Sequence, residues 1–92
     1  MTERKYDFVE YESCPSATIA QSMEGYIEHG WEVGGFLYAV LTNDLFEAVG
    51  RADHVNRLLL PAIVSWIYNE APSACWGDKD RVKTWMEEHR DA

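Results

Sequence analysis

Ninety-two residues carry sixteen Asp and Glu against eight Lys and Arg, a net charge of −8, with 47% hydrophobic residues. That length allows one domain with a small core, and that hydrophobic share is too high for a disordered chain. The negative balance excludes a protein that grips nucleic-acid phosphates or an anionic membrane, because both are held by clustered Lys and Arg.

Residues 1–14 read as an N-terminal arm, extended or strand-like. Tyr6 and Phe8 alternate with Lys5, Asp7 and Val9, and Tyr11 continues the series. Pro15 ends the arm, having no N–H to give to a ladder. Residues 15–92 then read as a single helical domain. Ser16 is placed to cap a first helix in which Ile19, Met23, Tyr26 and Ile27 recur at helical spacing, and Gly30 closes it. Trp31 to Val33 link to a second helix opened by Gly34 and Gly35, with Phe36, Leu37, Val40 and Leu41 as its apolar face. Asn43 and Asp44 interrupt, since their short side chains compete for backbone groups and favour caps. Asp44 with Glu47 starts a short third helix over 45–50; the stretch also reads as one helix, 35–49, with a polar notch.

Asp53 caps a helix over 54–69, whose stripe of Val55, Leu58, Leu59, Ala62, Ile63, Trp66 and Ile67 is widened by Leu60, Val64 and Tyr68. So broad a stripe predicts a central helix. Pro61 removes an N–H within it, predicting a kink near residues 57–61 or a break before them. Residues 69–77 read as a loop. Asp78 caps a last helix over 79–90 with Val82, Trp85, Met86 and His89 at helical spacing. The expected fold is all-α: a small compact bundle of four to five helices, with the extended arm at its N-terminus.

Charge is distributed unevenly. Residues 1–50 hold nine acids and two bases, for −7, while residues 51–92 hold seven acids and six bases, for −1. A sided negative field steers a basic partner toward one face, or simply keeps a small protein soluble. No 18-residue apolar run occurs, and the first residues lack a signal peptide's apolar segment, which predicts a soluble cytoplasmic protein. Cys14 and Cys75 form no C-x-x-C pair, and His29, His54 and His89 are scattered, so neither a metal nor a cofactor is expected. In a reducing cytoplasm the two cysteines read as ordinary thiols.

Catalysis finds little support. Ser16, Ser22, Ser65 and Ser73 sit in no nucleophile elbow, and Glu28–His29, the nearest acid–base pair, are neighbours on different sides of a helix. Gly34-Gly35 before an apolar helix either offers N–H groups to an anion or permits close packing. With Asn43, Arg51, Arg57 and Trp76 the two glycines make the set a nucleotide would use, through stacking and a few cations. Asn43 and Asn56 are otherwise solvated or held in a buried hydrogen-bond network. The loop tryptophans Trp31 and Trp76 are each either a plug on the core or an exposed anchor.

Several blocks resemble a family of short proteins encoded by tailed bacteriophages and prophages. They are Gly25-Tyr26-Ile27-Glu28-His29-Gly30, Gly34-Gly35-Phe36-Leu37 through Asn43-Asp44-Leu45, Ala52-Asp53 with Asn56, Pro72-Ser73-Ala74-Cys75-Trp76-Gly77, and the closing Val82 and Trp85. The resemblance spans about residues 25–86. Val33 stands where that family has proline, and Asp78 where it often has serine, an equally good N-cap. The acidic arm lies outside the pattern. The resemblance implies a phage accessory protein and supplies no catalytic residues.

The expected function is therefore a phage-encoded, non-enzymatic protein that binds and inhibits a bacterial host defence protein, its acidic surface competing for a basic groove. Tyr6, Phe8, Tyr11 and Trp31 are the expected anchors, and Glu24, Glu28 and Glu32 the electrostatic fit. Two alternatives stay open. One is an oligomeric sponge for a nucleotide immune signal, using Gly34, Gly35, Asn43, Arg51, Arg57 and Trp76. The other is a structural helper that packs on another phage protein. No direct contact with nucleic acid or membrane is expected, and a homo-oligomer suits the sponge.

Overall fold

The computed structural model describes Tyr6 and residues 8–90, and these are all-α. Helices α1 (Ala17–His29), α2 (Gly35–Leu41), α3 (Leu45–Arg51), α4 (His54–Glu70) and α5 (Lys79–His89) follow in chain order. Single 3-10 turns form at Tyr11–Ser13 and Ser73–Cys75, and no strand occurs among the described residues. Residues 1–5 and 7 of the arm, and 91–92 at the other end, lie outside the described residues.

The caps act where their side-chain chemistry places them. Ser16 accepts from the Ile19 N–H at 3.3 Å, Asp53 from Asn56 at 2.7 Å and Asp78 from Arg81 at 2.8 Å. Asp44 accepts from Glu47 at 3.4 Å, while the Glu47 carboxylate turns to Arg51 instead of back onto the cap. Gly30 takes φ +69° and returns its N–H to Tyr26, the left-handed ending that only glycine enters without strain.

The choice between one helix and two over residues 35–51 is decided at Asn43. Its φ of +64° is left-handed, so the helical path stops there. The Asp44 N–H then returns to Ala39 and the Gly77 N–H to Leu41, both at 2.8 Å, occupying two carbonyls that α2 leaves over. The Cys-Trp-Gly block thus closes a helix distant in sequence.

One core joins the elements. Met23, Tyr26 and Ile27 of α1, Leu41 of α2, Ile63 of α4 and Val82 of α5 are fully buried. The Tyr26 hydroxyl donates to the Cys75 carbonyl at 2.6 Å, and Trp85 Nε1 donates to the Tyr26 carbonyl at 3.1 Å, so both of these polar tips are satisfied. The radius of gyration, 12.4 Å, is that of one compact domain of this length.

Two expectations need correction. The described part of the arm is not strand-like: Val9 and Tyr11 are both buried, and the chain turns through Tyr11–Ser13 to bring them down on α1. Trp66 Nε1 holds that turn by donating to the Glu10 carbonyl and to Ser13 Oγ. Helix α4 is not central either. Leu60, Ile63, Trp66 and Ile67 face the core, but Val55, Leu58, Val64 and Tyr68 are 45–70% exposed. The helix runs unbroken through Pro61, which lies on the exposed side and leaves the Arg57 carbonyl without its helical N–H partner.

Candidate protein-binding surface

The expected anchors and acids divide into two groups, one consumed by the fold and one left outside it. Glu28 belongs to the first. Only 3% exposed, its carboxylate accepts the Tyr11 hydroxyl at 3.0 Å and the Tyr6 N–H at 3.2 Å. A carboxylate leaves water only against such compensation, so Glu28 fastens the arm to α1 and does not face a partner. Tyr11, 3% exposed, is likewise a core residue and not an anchor. Tyr6 is half-buried. Its ring packs on Trp85 at 5.4 Å, and its hydroxyl meets His89 Nε2 at 2.6 Å. The Trp85 carbonyl only accepts, so His89 Nδ1 donates to it at 3.0 Å, and Nε2 is the ring nitrogen that meets Tyr6. Burial, and then the charge of Glu28, push the Tyr6 hydroxyl upward and keep it protonated.

The second group is Phe8, Trp31 and Glu32, and Glu24 stands between the two. Phe8 is 63% exposed, edge-on to Tyr6; Glu24 is half-buried and Glu32 exposed. Trp31 is 60% exposed, yet it is fixed on three sides. Its N–H donates to the Gly25 carbonyl at 3.2 Å, and its ring stacks on His29 at 4.6 Å and 24°. The ring also lies directly on Gly25, where an added Cβ would come within 2.7 Å of it. A glycine inside a helix costs about 1 kcal/mol relative to alanine. Here the missing Cβ makes a seat for a surface tryptophan. That glycine was the sequence signal for the seat, and spacing alone did not connect the two.

The residues expected to hold a nucleotide do not assemble in one place. Gly35 and Arg51 line a hollow of about 380 Å³ with Tyr38, Asp44, Glu47 and Lys79. Arg51 lies across Gly35, 3.0 Å from where a Cβ would stand, and its Nε donates to Glu47 at 2.9 Å. Gly35 therefore serves close packing, and the cation is already matched. Gly34 is an exposed N-cap with open space where a Cβ would go. Arg57 lies at the start of α4, donating to the Ala52 carbonyl. Asn43 and Trp76 line a separate hollow of about 140 Å³ with Val40, Val64, Ile67 and Tyr68. Trp76 packs over the core as a half-buried plug, and its Nε1 is buried with no hydrogen-bond partner among the described residues. Asn56 is half-buried, with its N–H on the Asp53 cap.

Sequence reasoning missed the outer sides of α3 and α4. Leu45 and Phe46 on α3 are 62% and 89% exposed, and Leu58 and Tyr68 on α4 are 69% and 70% exposed. The available signal was the width of the α4 stripe. A helix packed on one side needs an apolar arc of about 100°, and α4 is apolar well beyond that.

Burial pushes the Cys75 thiol up to about 12, and it raises Cys14 as well. Among the described residues no group of three or more His, Cys, Asp or Glu could hold a metal ion. No helix there is long and apolar enough to cross a membrane. Comparison with protein-family models, with curated proteins and with solved structures finds no match for this chain. Fold and composition define a small, acidic, all-α protein of five helices among its described residues.

Proposed function

We propose that this protein is a non-enzymatic, phage-encoded accessory protein that works in the bacterial cytoplasm by occupying a basic surface of a host defence protein. The observation that carries this reading is Trp31. A large exposed aromatic held by a backbone hydrogen bond, a glycine seat and a stacked histidine is an anchor already in its bound form. Such residues dominate binding energies, and fixing them in advance removes an ordering cost. Glu32 adjoins Trp31, and the −7 carried by residues 1–50 gives that half the field to draw in a basic partner. The resemblance to short phage proteins supplies the bacterial setting.

The test is capture from phage-infected or prophage-bearing lysate with tagged wild type, Trp31→Ala, Gly25→Ala and Glu24→Lys/Glu32→Lys. The reading expects one protein in stoichiometric amount, released by salt and lost or strongly reduced with each variant. Gly25→Ala is informative because it favours the helix while driving a methyl group into the seat of the ring. Equal capture by all four proteins would contradict the reading.

A further inference from the structure

The surroundings of the Trp31 ring narrow what it holds, an inference that rests on the reading of Trp31 as an anchor. His29 stacks on one face of the indole at 24°, and the Cε3 edge lies against Gly25. A ring sandwiched on both faces would show only its edges. An indole that stays 60% exposed therefore has its second face open to solvent. Such a face is electron-rich and attracts a cation placed within about 6 Å of its centre.

The ring also sits at a negative corner of the molecule. At Gly30 the end of α1 abuts the backbone of Met86, His89 and Arg90, so the C-termini of helices of 13 and 11 residues converge beside it. Each such end carries about half a negative charge. Residues 24–32 add three acids and no Lys or Arg. Glu28 is spent on the arm, but Glu32 is exposed and holds no hydrogen bond or ion pair among the described residues. Arg90 is the one opposing cation at the end of α5, where Glu87 and Glu88 outnumber it.

These features select among the side chains a partner could offer. An aliphatic group would cover the ring but draw nothing from the field. A lysine ammonium answers the charge, yet it is strongly hydrated and has no flat surface to lay on an indole. A guanidinium is planar, always charged and weakly hydrated, so it meets ring and field together. We infer that the open face of Trp31 receives an arginine side chain of the partner, stacked on the indole opposite His29 in the field of Glu32 and the two helix ends.

The experiment titrates the full chain, in about 50 mM salt where surface charge is little screened, with two peptides of equal charge, hexa-arginine amide and hexa-lysine amide. The readout is the Trp31 indole N–H signal in proton–nitrogen NMR, identified by its loss in Trp31→Leu. Hexa-arginine is expected to move that signal and to bind at least about threefold tighter than hexa-lysine. Trp31→Leu, which keeps an apolar side chain without a π face, should bind both peptides alike. Equal affinity of the wild type for the two peptides overturns the inference, as does an arginine preference that survives Trp31→Leu. Host-protein capture lost with Trp31→Ala while the peptides bind alike would leave Trp31 an anchor and remove the arginine, so the two readings fail separately.

Discussion

Gly30 shows how closely single residues are specified here. Its φ of +69° is left-handed, and a Cβ there would stand 2.7 Å from the Met86 carbonyl oxygen and 2.8 Å from the Arg90 nitrogen, both backbone atoms. Gly30→Ala therefore combines a left-handed penalty of about 1–2 kcal/mol with a clash that no rotamer relieves. Thermal unfolding should show the midpoint falling by roughly 10 °C, at about 4–8 °C per kcal/mol for a chain of this size. A drop of only a degree or two would mean that α5 yields easily. The cysteines give a second test at this scale. Cys14 is half-buried and Cys75 fully buried, so a thiol reagent should modify Cys14 first and Cys75 only on unfolding. The pH dependence follows from the same burial. Below about 8.5 the Cys75 thiol is protonated in both states and its contribution to stability is whole. As pH rises toward the folded value of about 12, only the unfolded chain ionises, and stability is lost. Tyr26, also pushed up by burial, adds to the loss from about 10 upward. Urea unfolding followed from pH 8 to 11 should therefore show decreasing stability, and an increase would contradict the assignment of both groups.

Among the elements, the helices were readable because their signals are local. Ser16, Asp44, Asp53 and Asp78 each cap the N–H three residues ahead, and Ile19, Met23, Tyr26 and Ile27 all turn inward. Spacing could not show what lies across the fold. Glu28 looked like a surface acid because its partners, Tyr6 and Tyr11, sit 22 and 17 residues away. The broad apolar stripe of α4 could not reveal which part its neighbours cover, and Asn43 resolved one helix into two only through its backbone angle. The arm makes a prediction of its own. Glu28→Ala removes an acceptor of the Tyr11 hydroxyl and of the Tyr6 N–H, at a cost of about 1–3 kcal/mol. Limited proteolysis should then cut near residues 6–14 before the helical body, whereas Phe8→Ala should leave the arm as resistant as wild type. If the arm of Glu28→Ala resists cleavage equally, the clasp is not what holds it.

Taken whole, the molecule separates charge from apolar surface. The acidic half carries Trp31 and Glu32, while α4, whose one carboxylate is Glu70 at its last residue, carries the exposed Leu58 and Tyr68. Capture through the acidic half should weaken as salt rises. Measuring it between about 50 and 300 mM NaCl, a span over which the screening length falls about 2.5-fold, checks the assignment of that face. The central claim, that Trp31 is the anchor of a protein-binding surface, is tested most directly by one number: the dissociation constant of the captured partner for wild type against Trp31→Ala. Truncating a true anchor costs about 2 kcal/mol or more, so the account predicts at least roughly 30-fold weaker binding by a variant that melts like wild type. Affinity unchanged within twofold would contradict it.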